Sequence, residues 1–173
     1  MEDIPLESAV KRRVQDFWDR NPCGTRLVDK PIEGTQFFRE YDAKRLQLHP
    51  YLADVLPLSG YSGRRVLEVG CGIGSDAASV ASRGANVTAF DLSPVSVALT
   101  RRRFKEYGLD GSFIVGDAEH LPFKDRSYDY VMSIGVLHHT PDTATAIDEL
   151  LRVLISKGRA LVMLYYRNSF RYR

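Results

Sequence analysis

Val66-Leu67-Glu68-Val69-Gly70-Cys71-Gly72-Ile73-Gly74 is the stretch from which the rest of the chain is read. An apolar, β-branched run ends in three glycines spaced by two, and a helix-like segment follows from Ser75. This pattern is a buried strand turning sharply into a helix, with glycine where backbone must approach something closely. Unpaired backbone N–H groups at the helix start then face the turn, which suits an acceptor-rich ligand.

The order of the glycines narrows the ligand. The dinucleotide fingerprint reads G-x-G-x-x-G, its third glycine letting helix and strand pack closely. Here the order is G-x-G-x-G, and Ser75 holds the place of that last glycine. Glu68 also lies two residues before Gly70, near the strand's carboxyl end. At about 4 Å two unit charges interact by about 4 kcal/mol at an effective dielectric near 20. A carboxylate there repels a pyrophosphate and attracts an ammonium or a sulfonium. The plain alternative is a glycine turn with no ligand, and the acids further along the chain weigh against it.

Composition fits one domain with a sizeable core: 173 residues, 44% hydrophobic and 27% charged. A net charge of +2 implies no strong field toward nucleic acid or a membrane surface. The two cysteines, Cys23 and Cys71, make neither a disulfide framework nor a Cys-x-x-Cys zinc spacing, and no metal site is expected from the four histidines. A reducing, cytoplasmic setting suits them. No stretch approaches the roughly 20 apolar residues of a membrane-spanning helix, and the acidic start is unlike a signal peptide.

Two helical regions precede the glycine turn, and residues 1–60 read as a helical cap ahead of the main domain at 61–173. The first, residues 6–20, has Leu6, Val10, Val14, Phe17 and Trp18 at a helical period, and Asn21-Pro22-Cys23-Gly24 stops it. Trp18 either walls the ligand or packs the helix onto the domain. The second, residues 37–58, is interrupted near Pro50; Phe37, Phe38 and Tyr41 suit the core more than a pocket. Residues 59–63 form a linker.

Beyond the turn, strands and helices alternate. A small-residue helix over 76–83 ends at Gly84, a strand over 85–90 ends in Asp91, and Ser93-Pro94 starts a helix over 95–107. Arg101-Arg102-Arg103 and Lys11-Arg12-Arg13 read as solvated faces, because consecutive helical residues point apart. A third strand over 112–115 leads into Gly116-Asp117-Ala118-Glu119-His120-Leu121-Pro122-Phe123, and a fourth over 128–134 into Gly135-Val136-Leu137-His138-His139-Thr140. An amphipathic helix over 143–155, with Ala146, Ile147, Leu150, Leu151 and Leu154 inward, is followed by a turn at Ser156-Lys157-Gly158 and a fifth strand over 159–166. The fold class is α/β, a three-layer sandwich around a doubly wound, mostly parallel sheet. Asp91 lies 21 residues beyond Gly70, where a paired acceptor holds ribose hydroxyls in such folds.

Four ordered motifs over 66–166 together resemble the S-adenosylmethionine-dependent methyltransferases with a Rossmann-like fold, of the small-molecule and lipid type. The resemblance implies S-adenosyl-L-methionine as cofactor. It implies a cofactor cradle at Glu68, Gly70, Cys71, Gly72 and Gly74, and ribose contacts at Asp91 with Leu92 beside it. It further implies adenine contacts at Asp117 and Ala118, and Ser133 at the exit of the fourth strand. Phe17-Trp18-Asp19-Arg20-Asn21-Pro22-Cys23-Gly24-Thr25 is similar to a signature ahead of some small-molecule methyltransferase domains. The motifs of DNA methyltransferases, Asn/Asp-Pro-Pro-aromatic or a Pro-Cys nucleophile after the fourth strand, are absent. The implied partner is a small-molecule methyl acceptor, with neither nucleic acid nor a membrane span.

Methyl transfer needs a base only if the acceptor must lose a proton. His138 or His139 is the candidate, His138 first, against a merely structural histidine. A sheet of this family has seven strands and the chain offers five. The last two read as missing, from a fragment or from a minimal form that self-associates through the open fifth-strand edge. The rival functions are an S-adenosylmethionine-binding module without catalysis and, disfavoured by Ser75 and Glu68, a nicotinamide-dependent oxidoreductase.

Overall fold

The computed structural model describes residues 9–29, 31–32, 34–55 and 60–166. Leu6, the stretch at 56–59 and residues 167–173 lie outside the described residues. Among the described residues five strands form one sheet: β1 (Arg65–Val69), β2 (Asn86–Asp91), β3 (Ser112–Val115), β4 (Tyr128–Ile134) and β5 (Leu154–Met163). Every pairing is parallel and the order is β3-β2-β1-β4-β5. The order reverses between β1 and β4, and a crevice opens there at the carboxyl ends of the strands.

The alternation along β1 explains the layers. Val66 packs with Val80, Val87, Val97 and Phe104 under α4 (Ser75–Ala81) and α5 (Pro94–Tyr107). Leu67 and Val69 pack with Val131, Leu137, Leu150 and Val153 under α6 (Thr143–Val153) on the opposite face. A strand buried on both faces is the near-continuous apolar run of the sequence. Ahead of the sheet come α1 (Ala9–Arg20), α2 (Gly34–Leu48) and α3 (Leu52–Val55). Phe37, Phe38 and Tyr41 of α2 form a third cluster with Val28 and Ile73, against Leu99 and Tyr107 of α5. Among the described residues no helix is long and apolar enough to cross a membrane.

Three local expectations are corrected. First, α6 stops at Val153 and β5 begins at once, so Ser156-Lys157-Gly158 is not a turn between them. Tyr128 pairs with Leu154 whereas Tyr130 pairs with Arg159, and the surplus residues of β5 bulge out. Gly158 sits in that bulge because a Cβ would come within 2.5 Å of Leu154 Cδ1. Second, Leu151 faces solvent.

Third, Arg103 is not on a solvated face. Ser96, Val97, Thr100, Arg103 and Phe104 share the buried side of α5, and Arg103 is 0% exposed. Its guanidinium donates to Asp42 Oδ1 (3.1 and 3.2 Å), Ser75 Oγ (2.8 Å) and the Phe38 carbonyl (3.3 Å), and stacks 4.5 Å from the Phe38 ring centroid. It rivets α2 to α4 and α5. Arg103→Met removes the buried guanidinium and leaves Asp42 Oδ1 with the Ser75 hydroxyl (2.7 Å) as its remaining side-chain donor. It is expected to cost about 2–4 kcal/mol, toward the lower end because the Asp42 side chain is 38% exposed and can rehydrate. Thermal unfolding followed by circular dichroism should show the midpoint falling by roughly 5–12 °C. An unchanged midpoint would exclude the rivet.

Candidate cofactor site

The turn after β1 is tied to the end of β2 by the Phe90 carbonyl, which accepts the Gly70 and Cys71 N–H groups (2.7 and 3.1 Å), and by the Asp91 carboxylate. Gly70, Gly72 and Gly74 have φ of +82°, +54° and +76°, a region side chains avoid. At Gly70 a Cβ would also overlap Val136. Asp91, the last residue of β2, accepts the Gly72 N–H at Oδ2 (2.9 Å) and the Ser93 N–H at Oδ1 (2.9 Å). Burial pushes the Asp91 carboxyl up to about 6, against the pull of those two N–H groups and with a smaller push from Asp19.

Glu68 is buried between β1's neighbours and α4, 3% exposed. Its Oε2 meets no hydrogen-bond partner among the described residues, and the side chain lines the same cavity as the glycine turn. Burial holds its carboxyl well above the ordinary range; the charges of Asp76 and Asp91 add to this, and Arg45 and the Ala77 N–H offset part of it. Arg45, from α2, clamps Asp76 through two hydrogen bonds of 2.8 and 2.7 Å.

Helix α1 covers the tips of β2 and β3 with an unexpected face. Lys11, Gln15 and Asp19, four residues apart, all point at the body of the protein. Lys11 Nζ donates to Asp117 Oδ2 (2.5 Å) and lies 2.6 Å from Glu119 Oε2. Gln15 Nε2 donates to the Leu92 carbonyl (2.9 Å), and Asp19 accepts from Ser93 Oγ (2.5 Å). Meanwhile Val10 and Phe17, two of the apolar positions that set the helical period, are 52% and 54% exposed. Lys11 is therefore buried and paired, not solvated.

An aromatic row crosses the cavity mouth. Trp18 of α1 meets His139 edge-on (5.3 Å), His139 meets His138 (4.1 Å), and His138 meets Tyr165 (4.5 Å). Trp18, His139 and Tyr165 line the cavity with Val14, Tyr51 and Met163; His138 does not. The His138 ring nitrogens are buried and meet no hydrogen-bond partner among the described residues. Burial lowers the pKa of both histidines.

Of the residues singled out in the sequence, Glu68, Gly70, Cys71, Gly72, Asp91, Leu92, Asp117 and Ala118 all line this one cavity. Gly74, Ser133 and His138 do not. Gly74 is a packing glycine: a Cβ would come 2.7 Å from Thr100 Cγ2, where α5 crosses the start of α4. Ser133 is fully buried and donates to the Val69 carbonyl (2.9 Å), bracing β4 against β1. His138 is turned into the ring stack, and His139 takes its place at the wall. Sequence reasoning missed Lys11, Arg45 and Asp76. The spacing of Lys11, Gln15 and Asp19 was a usable signal for the first; Arg45 and Asp76 meet only in the fold. Asp117, Glu119 and His120 offer ligand-type atoms within 4.8 Å of one another, and the Lys11 ammonium is bonded to two of these three.

The sheet order, the glycine turn and the helices on both faces define a Rossmann-like α/β domain, and the chain belongs to the family described as "Methyltransferase domain", which matches residues 67–162. It is 37% identical over 133 residues to "Probable phthiotriol/phenolphthiotriol dimycocerosates methyltransferase 2" of Mycobacterium ulcerans, covering 76% of this chain and 48% of that protein. It is 38% identical over 104 residues to "Methyltransferase GfsG" of Streptomyces halstedii, covering 58% and 37%. Among solved structures it superposes on the [4+2]-cyclase SpnF with a TM-score of 0.68 and 26% identity, covering 88% of this chain and 59% of that one. The chain thus spans about half the length, or less, of the curated relatives it matches.

Proposed function

We propose that the cavity binds S-adenosyl-L-methionine and that the protein transfers its methyl group to a small-molecule acceptor with an apolar or aromatic body. The observation that carries this reading is Glu68: a buried carboxyl with an unpartnered oxygen, beside a glycine turn, on the wall of the crevice where the strand order reverses. Such a group suits a ligand that brings N–H donors and positive charge.

The cofactor, when bound, supplies a methyl already activated on a sulfonium. The chain's own residues bind and align. Glu68 takes the amino-acid ammonium, Asp91 the ribose hydroxyls, and Asp117 the adenine amine with Ala118 against the ring. Gly70 and Gly72 keep the backbone close. Positioning of this kind can supply roughly 7–11 kcal/mol of a barrier. Val14, Trp18, Tyr51, Met163 and Tyr165 form the acceptor wall. His139 accepts the acceptor's proton where one must be lost, and its lowered pKa keeps it neutral at pH 7.

Asp91 gives the site a pH signature. Ribose hydroxyls donate to the carboxylate, and with a pKa of about 6 the carboxylate is lost as the pH falls through that value. Binding of S-adenosylhomocysteine is expected to weaken as the pH falls, with an added loss tending toward tenfold per unit below pH 6 as Asp91 takes up its proton. Affinity measured from pH 5 to 8 that stays level throughout would contradict the ribose role.

The likeness to a [4+2]-cyclase favours a second reading, in which the nucleoside is held but no methyl moves. Incubation with methyl-labelled donor and a panel of apolar hydroxylated acceptors separates the two. Label in an acceptor supports methyl transfer; donor binding with no labelled product supports the second reading.

A further inference from the structure

The most heavily bonded side chain of α1 is Lys11, whose ammonium touches two carboxylates from the loop after β3. Both of those carboxylates are engaged elsewhere as well. Asp117 Oδ1 accepts the Glu119 N–H (3.0 Å), and Glu119 Oε1 accepts the Asp142 N–H (2.8 Å) at the start of α6. One continuous set of polar contacts thus runs from the cap helix through the loop after β3 to the segment that carries His139. Lys11 and Asp117 line the cavity beside Gly116 and Ala118.

We propose that Lys11 is the positioning residue of the cavity's purine end, fixing the Asp117 carboxylate as an acceptor that selects a base with an exocyclic amine over one with a carbonyl. This rests on the nucleoside-cofactor reading above. The charge balance supports it: one ammonium faces two carboxylates, so net negative charge remains at the wall and favours N–H donors over a carbonyl oxygen. The geometry supports it too. Without the ammonium, Asp117 and Glu119 face each other across less than 4.8 Å, with the exposed His120 ring 3.5 Å from Asp117. Two close carboxylates then favour sharing a proton, which turns Asp117 from an acceptor toward a donor. Gln15 and Asp19 hold the same helix face to Leu92 and Ser93, which keeps Lys11 in register over the loop.

The test uses calorimetry on the full chain with S-adenosylhomocysteine and its deaminated 6-oxo counterpart, S-inosylhomocysteine. The parent is expected to prefer the amine by at least about tenfold, since a site built to pair one group rejects its replacement. Lys11→Met should reduce that preference to about threefold or less, and Lys11→Arg should restore it because a guanidinium can bridge both carboxylates. The ratio matters more than either affinity, because general damage to the fold weakens both ligands alike. A parent with no preference overturns the assignment even if Lys11→Met fails to fold, and so does a folded Lys11→Met that keeps the parental ratio. A parent that binds neither nucleoside refutes the cofactor reading itself.

Discussion

Replacing Asp91 by alanine is expected to weaken S-adenosylhomocysteine binding by about a hundredfold or more, the equivalent of about 2.7 kcal/mol. The side chain does two jobs. It accepts the Gly72 and Ser93 N–H groups, shaping the turn before any ligand arrives. In the proposed binding mode it also receives the ribose hydroxyls. Alanine removes the acceptor for both backbone donors, and each buried donor left unpaired costs about 1–3 kcal/mol. Asp91→Asn keeps one carbonyl oxygen and should fall between parent and alanine. Calorimetry gives the affinity, and a thermal melt separates loss of the turn from loss of the fold. A folded Asp91→Ala protein that binds within threefold of the parent would sink the assignment.

The second large effect separates the adjacent histidines. His139→Ala is expected to lower turnover by about 10²–10⁴-fold, the usual contribution of a positioned base, with S-adenosylhomocysteine affinity unchanged. His138→Ala should leave turnover near the parental level and instead lower the melting temperature, since its ring fills the space between His139 and Tyr165. With His139 as base, the rate falls as the pH drops through its pKa, which burial holds below the ordinary 6.5. Equal loss of turnover in both folded variants, or none in His139→Ala, would contradict the assignment. The comparison requires an acceptor that must lose a proton.

Much of this site was legible in the sequence, for a physical reason. A strand buried on both faces, a turn that only glycine can make and an acid at the next strand's end leave local marks, and Glu68, Gly70, Gly72, Asp91 and Asp117 carry them. What was misread depended on how the helices rotate against the sheet. Lys11 and Arg103 sit in basic triplets that look solvated, and a triplet does not say which of its members faces inward. Position 103 falls on the face of Ser96, Thr100 and Phe104, so the fold supplies an acid and aromatic rings instead of water. Helix α1 inverted the usual rule: its polar stripe faces inward, with Lys11 buried and Gln15 and Asp19 half-buried, because β2 and β3 end in backbone and carboxylate acceptors, leaving Phe17 outside. Gly74 and Ser133 belong to motifs that read as cofactor contacts, yet their neighbours are Thr100 and the Val69 carbonyl.

The electrostatic picture also changes. Three acids at strand tips read from sequence as an ionised triad around a cation. In the fold the Asp117 charge is met by Lys11, and burial keeps Glu68 toward its protonated form. Arrival of an ammonium favours the Glu68 carboxylate, so ligand binding and loss of a proton are linked.

Calorimetric titration of the parent protein with S-adenosylhomocysteine, repeated at pH 7.5 in two buffers of different ionisation enthalpy and set beside NAD, tests the central claim most directly. One-to-one binding of the nucleoside amino acid with release of a proton, and no binding of NAD, is the expected result. Binding of NAD with no response to S-adenosylhomocysteine would contradict the account.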